Sequence, residues 1–596
     1  MATTVLSSPT TISAHASSPS RIDEPYASRP LEAAADGIRL VTIDPELTPE
    51  GLLSCQLQTT TFARRPRYET LSYRWGDESC RRSIVVDGAE LYVTANLFEA
   101  LQYFRTHARQ AALWIDAICI NQRDTPERSS QLRIMPHIYA RAESTLVWLG
   151  GRYINLPIDL GPDSPGAEPN ADIRDRVMAD AYWQRVWILQ EIGKARRIHL
   201  CFGREPAEWD AFISWIRQHN GADQDDGVGP LRLDRLRRHK YDGSCSLRQL
   251  LENHASALSK DPRDKIYGLV GLSTDGRGFP MDYGKTLLEV WCDTMHFMSR
   301  HELLPSDCDA RIRFCRLVRD LLGGEAALGS VGGVVQLRND AGDESFHDSH
   351  GRAPAGPLAL SALSFFAEVY GVVVSLGPSA SELLSSLDLV DAWEAELQRL
   401  YRGDLDSAHM ENDGLMRRIL DSPDGRLVAL SGFQNHRVVF HGPEMYGAYW
   451  PFMHRRSPGP PPGLQGAWAH ETATPDEPRL AMLKMSAAPW DQTPYKLAFV
   501  PPDTRQGDLV CRVDGHPMKR VVVRPAPEDH SNDVRMHICG TALTVRDVLA
   551  DGGFDDGSVH MSYKLDLMMD ARTLYALIFG NHDEQLETLL ETLQVQ

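Results

Sequence analysis

Two periods of apolar residues run along the first 270 residues. Tyr68–Tyr73 (YETLSY) reads as a short strand that ends in the turn-like Arg74–Asp77. Ser83–Val86 and Ala89–Val93 flank Asp87–Gly88, the favoured two-residue hairpin turn. Leu97, Leu101 and Phe104 then recur on one helical face, with Asn96 as the expected cap and Glu99 three residues after it. Ala111–Ile120 (AALWIDAICI) is nearly continuously apolar, the pattern of a strand covered on both faces. Thr125–Pro126 reads as a cap with a first-turn proline. The helix that follows carries Leu132, Met135, Tyr139 and Ala142 at helical spacing, and Pro136 is expected to kink it. Thr145–Leu149 (TLVWL) is a further buried strand, and a helix is expected around Asp180–Gly193. Strands alternating with helices predict an α/β domain with a mainly parallel sheet and flanking helices.

Beyond that domain the pattern changes. Residues 1–36 are rich in Ser, Thr, Ala and Pro and read as a disordered tail. The α/β domain is expected over 38–272 and a mainly helical region over 273–456. Ser457–Gly463 (SPGPPPG) has the composition of a stiff linker, and 464–596 is expected to be β-rich. Leu509–Val513 and Arg520–Val523 are expected strands of that unit, separated by a turn containing Asp514–Gly515.

Composition narrows the classes. The chain has 596 residues, 42% of them hydrophobic, enough for a sizeable core. A net charge of −19 gives no general support to nucleic-acid binding, which needs Lys and Arg facing phosphate. The dense basic run Arg232, Arg235, Arg237, Arg238 and Lys240 reads as a solvated helix face. Ten scattered cysteines with no C-x-x-C pair argue against a disulfide framework or a zinc ribbon, and for buried thiols in a reducing compartment. No apolar run reaches the roughly 18 residues of a membrane helix, and neither a signal nor a transit peptide opens the chain, so a cytoplasmic location is expected.

Few motifs carry chemistry. Gly284-Lys285-Thr286 ends like a phosphate loop, but Phe279 stands where that loop needs glycine and Pro280 removes a backbone donor. His347 and His350 lack a third metal ligand, and no metal site is expected. What remains is a polar set at strand ends. Arg74, Trp75, Gly76 and Asp77 follow one strand, Asp116 interrupts another and Asn121–Asp124 follow it, while Gln190 and Glu191 close an apolar helix. Ligands of open α/β sheets sit at the carboxyl ends of strands. Taken singly, each of these residues also fits a structural hydrogen bond or ion pair. A carboxylate within AALWIDAICI must be paired or hydrogen-bonded, with Asn121 and Arg74 as candidate partners, and its place inside the strand favours a structural role.

In order, these segments resemble the heterokaryon incompatibility (HET) domain of filamentous fungi. The matching residues are Leu71-Ser72-Tyr73-Arg74-Trp75-Gly76, then Leu113 to Gln122 (LWIDAICINQ), Glu127, Gln131, Met135, Ile138-Tyr139 and Ala142. Trp148-Leu149-Gly150, Arg185-Val186-Trp187 and Gln190-Glu191 complete the core, which spans 68–191. Asp261–Leu272 (DPRDKIYGLVGL) and Phe279–Tyr283 (FPMDY) also look like the family. The resemblance implies non-self recognition between fungal strains that ends in growth arrest or cell death.

HET domains are in turn similar to TIR domains, flavodoxin-like folds of innate immune signalling, some of which cleave NAD⁺. Two functions follow as expectations. One is a signalling module that self-associates through its HET domain and answers an unidentified protein partner, with no cofactor required. The other is an NAD glycohydrolase, in which Glu191 would stabilise charge built on the ribose, Trp187 would shape the pocket and Arg74 would meet the pyrophosphate. Trp75, Gly76 and Asp116 join them as candidate NAD-binding residues. The segment after about residue 275 is expected, from its position alone, to carry specificity or autoinhibition.

Overall fold

A computed structural model describes residues 24–31, 36–107, 111–154, 171–201, 206–217, 229–238, 245–328, 363–386, 388–389, 427, 436–440, 477–485, 495–513, 520–525, 536–544, 547–548, 554–555 and 564–579. The chain divides into two units, Met1–Thr286 and Leu287–Gln596.

The first unit is built on a nine-stranded sheet: β1 (Gly37–Ile43), β2 (Ser54–Thr61), β3 (Glu69–Tyr73), β4 (Arg81–Val86), β5 (Ala89–Thr94), β6 (Leu113–Trp114), β7 (Thr145–Trp148), β8 (Ile198–Leu200) and β9 (Ala207–Glu208). Their order across the sheet is β5-β4-β2-β1-β6-β3-β7-β8-β9. The centre, β6-β3-β7-β8, is parallel, and β3 and β7 are buried along their whole length, as strands covered on both faces must be. The sheet is mixed rather than mainly parallel, because antiparallel β1–β2, β1–β6, β4–β5 and β8–β9 pairs extend it on both sides. β2 alternates buried and exposed positions over its first half, the mark of a strand with one wet face. The β4–β5 hairpin turns at Asp87–Gly88 as expected.

The helices of this unit pack around the sheet. They are α1 (Glu24–Ser28), α2 (Ala95–Thr106), α3 (Asp116–Cys119), α4 (Thr125–Arg141), α5 (Ala171–Met178), α6 (Val186–Lys194), α7 (Trp209–Arg217), α8 (Gly229–Arg238), α9 (Leu247–Asn253) and α10 (Asp264–Val270). Leu97, Leu101 and Phe104 of α2 enter the core with Trp114, Met135, Tyr139 and Trp148.

Four local expectations are corrected. Ala111–Ile120 is no continuous strand: β6 covers only Leu113–Trp114, and Asp116 opens the helical turn α3, whose amides of Ile118 and Cys119 both donate to the Ile115 carbonyl. An apolar run of this length fits a buried strand or a buried helical turn equally well by pattern. Thr94, not Asn96, caps α2, and Asp124, not Thr125, caps α4 by accepting from the Glu127 amide. Within the expected tail, Glu24–Ser28 is helical and Tyr26 is buried under the Arg39 guanidinium, 5.1 Å from its ring. Residues 1–23 lie outside the described residues, as do the 457–463 linker, His347 and His350.

The second unit begins with helices α11 (Leu287–Arg300), α12 (Cys308–Leu321) and α13 (Gly324–Leu328), inside the stretch 273–456 of the helical expectation. It fails at Leu363–Ser379, a 17-residue strand β10 whose apolar and β-branched residues (FFAEVYGVVV) favour extended backbone. With it the strands are β11 (His436–Phe440), β12 (Arg479–Met485), β13 (Tyr495–Val500), β14 (Leu509–Val513), β15 (Arg520–Pro525), β16 (Met536–Thr544), the minimal pair β17 (Asp547–Val548) and β18 (Phe554–Asp555), and β19 (Lys564–Met569). β10 pairs with β14 through Ala367–Val372 and with β12 through Gly371–Ser379, so β10-β12-β13-β16-β15-β14 closes into an antiparallel barrel. Register shifts around Gly371 mark where β10 bends to serve both neighbours. All six strands contribute to one interior cluster, which includes Tyr370, Leu483, Val500, Val510, Val522 and Cys539. The β-rich region is thus a barrel that begins about 100 residues earlier than 464.

Candidate functional site

The carboxyl ends of the central parallel strands gather the polar residues of the first unit. β3 ends with Ser72 and Tyr73, both buried. A 3₁₀ turn at Ala181–Gln184 brings Tyr182 against them, and α6 brings Glu191, 5% exposed. The Ser72 hydroxyl donates to Glu191 Oε2 and lies 2.5 Å from the Tyr182 hydroxyl. Arg185, at the entry to α6, donates to the Tyr73 carbonyl, and its charge favours the ionised forms of both Asp116 and Glu191.

Asp116 stands on the other side of Tyr73. Its Oδ2 accepts from Trp75 Nε1 at 2.8 Å, its Oδ1 from the Ala117 amide at 2.8 Å, and the Tyr73 side chain faces it. Burial raises its pKa; the Trp75 bond and Arg185 act against the rise. Glu191 is pushed up to about 7, mainly by burial and further by the Asp116 charge, while Arg185 and Ser72 hold it down. A buried carboxylate, a half-buried one and a guanidinium thus lie together, and the buried acid, Glu191, changes charge near neutral pH. Burial also raises the pKa values of Tyr73, Tyr139 and Tyr182 around them.

Of the residues expected from sequence, Trp75, Asp116 and Glu191 meet in or beside this cluster. The partners expected for Asp116 do not hold: Asn121 uses its amide N–H on Glu127 and its side chain on the Arg123 amide, and Gln122 reaches the Asp116 carbonyl instead. Arg74 is half-buried, and its guanidinium makes no hydrogen bond or ion pair among the described residues, whereas its carbonyl accepts from Asn96 Nδ2. Asn96 Oδ1 in turn accepts from Trp148 Nε1 at 3.0 Å, so one amide clips the ends of β3 and β7 together. Gly76 (φ 78°) and Gly150 (φ 119°) take left-handed backbone beside this clip, where an added Cβ would stand 3.4 and 3.5 Å from Asn96. Gly76 and Trp-Leu-Gly150 are therefore strand-end turns. The Trp187 side chain engages the Asp264 carboxylate and favours its ionised form.

Ser72, Tyr73, Tyr182 and Arg185 were not among the expected site residues. Ser72, Tyr73 and Arg185 sit inside the quoted motifs, and their neighbours drew the chemistry. Tyr182 carries no sequence signal beyond an Asp180 that caps its turn.

Other motif segments form structural knots. Arg39, 1% exposed, makes a two-pronged ion pair with Glu127 (2.6 and 3.0 Å) and also donates to the Cys119 and Arg29 carbonyls. Arg263 joins Asp261 (2.9 Å) to the Lys285 and Tyr283 carbonyls, and the Tyr283 hydroxyl donates to Asp264 at 2.5 Å. The DPRDK and FPMDY segments are thus one assembly, and the apparent phosphate loop is its edge. In the basic run, Arg238 pairs with buried Asp234 and Arg232 donates to the Asn253 carbonyl. The nine cysteines with a described environment form no disulfide and, except Cys80, are buried. Among the described residues no cluster of three potential metal ligands occurs, and no helix is long and apolar enough to cross a membrane.

The comparisons with known proteins agree with this reading of the motifs. The family model for heterokaryon incompatibility protein (HET) matches residues 68–191, the bounds of the motif core. A curated relative, heterokaryon incompatibility protein 6, OR allele, of Neurospora crassa, is 37% identical over 138 residues. That alignment takes 21% of this chain and 20% of the relative, so about a fifth of the relative's length is spanned. The chain carries a HET domain of the fungal heterokaryon incompatibility family at residues 68–191. No solved structure matches.

Proposed function

We propose that this chain acts in non-self recognition between fungal strains, as a module that self-associates through its HET domain and triggers cell death. The observation that carries the reading is the match of residues 68–191 to the HET family, within a fold where those motifs interlock. Most motif residues hold strand ends together (Asn96, Trp148, Gly76, Gly150) or seal buried charge (Glu127, Trp75), which suits a rigid signalling surface. A cytoplasmic site of action and an unidentified protein trigger belong to the same proposal.

A second reading, an NAD glycohydrolase, is favoured by one feature: Glu191, buried, and Asp116, half-buried, lie at strand ends, with Glu191 titrating near neutral pH. A carboxylate there would stabilise positive charge building on the ribose. Glu191 is closed behind Ser72 and Tyr182, so turnover by this route requires that lid to open.

One experiment separates the two readings. The full chain and its Glu191→Gln form are expressed in a filamentous fungus and scored for growth arrest. The purified proteins are sized by light scattering and assayed for nicotinamide release from NAD⁺. The signalling reading expects oligomers, arrest by both forms and no release. A chain that kills while remaining monomeric overturns it; release and arrest that both vanish in Glu191→Gln establish the enzymatic reading.

A further inference from the structure

Beside Asp116 lies an open cleft of about 250 Å³ that shares only Trp75 with the candidate NAD-binding residues and reaches neither Glu191 nor Arg74. Trp75, Leu91, Tyr92, Asn121, Arg81 and Arg123 are among the residues that line it. Its inner wall is fixed in advance. Trp75 donates to the Asp116 carboxylate and Gln122 to the Asp116 carbonyl, both at 2.8 Å, while the Asn121 amide N–H is held by Glu127 at 2.6 Å. Asp116 therefore anchors two sides of the cleft at once, and a preorganised wall costs little ordering on binding.

The chemistry of the lining is specific. Tyr92 is 48% exposed, a large aromatic on the last strand of the sheet, and together with Trp75 it offers flat apolar surface. Arg81 and Arg123 stand exposed at the cleft, and the one carboxylate in the lining, Glu78, is paired with Lys260 at 2.9 Å. On a chain of net charge −19 this is a locally positive, aromatic-walled recess.

We propose that the cleft binds a small ligand that joins a flat aromatic ring to an anionic group, of single-nucleotide size. The ring stacks on Trp75 and Tyr92, the guanidinium groups of Arg81 and Arg123 take the anion, and Asn121 meets the ring's polar edge. The volume falls just below the roughly 300–1,000 Å³ of drug-sized sites, which suits one nucleotide and not two. The proposal invokes neither Glu191 nor Arg185, so it stands or falls separately from nicotinamide release.

The test titrates the full chain by calorimetry with adenosine monophosphate, adenosine and inorganic phosphate. Adenosine monophosphate should bind, and the two fragments should bind about tenfold or more weakly. Tyr92→Ala and Arg123→Gln change exposed side chains and should each weaken the nucleotide by about tenfold while the chain stays folded. Absence of binding at millimolar nucleotide overturns the proposal, as do unchanged affinities in both variants. Phosphate binding as tightly as the nucleotide overturns the aromatic half of the site.

Discussion

The sheet of the first unit and the barrel of the second solve the same problem, covering strands, in opposite ways. The barrel closes on itself, and its six strands surround an interior of small and medium apolar side chains with no carboxylate in that cluster. Its buried acid, Asp508, is answered directly by Arg524 at 2.8 and 3.0 Å. The open sheet leaves the carboxyl ends of β3, β6 and β7 exposed to one another, and there Ser72, Asp116, Arg185 and Glu191 are packed with two acids to one base. Closure pairs the strand edges of the barrel, whereas the open parallel sheet gathers polar side chains at the carboxyl ends of its strands. The acid cluster there makes the first unit the place of the candidate site.

The largest effect that sharpens this contrast comes from a buried charge in the sheet unit. Arg39 is 1% exposed and Glu127 is its ionic partner, with the Asn121 amide on the same carboxylate. Glu127→Ala leaves that guanidinium with two carbonyls but no counter-charge and should cost about 3–5 kcal/mol in denaturant unfolding of the full chain. In the barrel, loss of Arg524 strands Asp508, 3% exposed, which keeps the Arg505 amide and can take up a proton, whereas a guanidinium cannot shed one. Arg524→Ala should therefore cost less, about 1–3 kcal/mol. Equal losses would mean that proton uptake does not relieve Asp508 and that the contrast is wrong.

Next in size is a pH effect at the strand-end cluster. The folded protein holds the Glu191 proton more tightly than the unfolded chain does, with a pKa of about 7 against an ordinary 4.5. Its stabilising contribution is therefore complete below pH 4.5 and is lost as pH rises through about 7. The gap corresponds to about 3 kcal/mol at most. Glu191→Gln stays neutral and can still accept from Ser72, so stability followed by denaturant titration from pH 4.5 to 8 should decline less than in the parent chain. Parallel curves would mean that Glu191 is not enclosed as described.

Much of this contrast was legible in the sequence, for physical reasons that differ by element. β7 was readable because a doubly covered strand is nearly all apolar, the β4–β5 hairpin because Asp-Gly fits a tight turn, and β3, despite Glu69, Thr70 and Ser72, because a polar turn ends it at Arg74–Asp77. The helical turn at Asp116 was not, because its apolar neighbours suit either state and only the tertiary bond to Trp75 marks the chain's reversal. That error also placed Asp116 inside a strand and so removed it from the cleft it anchors. The barrel was half hidden. Leu509–Val513 and Arg520–Val523 are short, β-branched and near a turn, whereas β10 lies more than 100 residues from its partners β12 and β14, and such pairing leaves no local trace. Within the site, Glu191 was readable as a lone acid on an apolar helix, but Ser72 and Tyr182, which close it off, are ordinary residues until the fold brings them together.

The smallest expected effect on stability is at Glu78, on the rim of the Trp75 cleft. Its ion pair with Lys260 joins side chains that are 36% and 81% exposed, and such surface pairs contribute between nothing and about 1 kcal/mol. Glu78→Gln should leave the unfolding midpoint within about 0.5 kcal/mol of the parent chain. Its consequence for binding should be the larger one. The substitution removes a carboxylate from the cleft beside Arg81 and Arg123, so affinity for adenosine monophosphate should rise by up to about fivefold at low salt, with the gain fading as salt screens the rim. Calorimetry at two ionic strengths reads both halves of the prediction. A loss of affinity would show that Glu78 itself accepts hydrogen bonds from the ligand, which would make the cleft a reader of polar edges and leave its two arginines as solvated surface, no different in kind from the paired Arg512–Glu368 on the barrel.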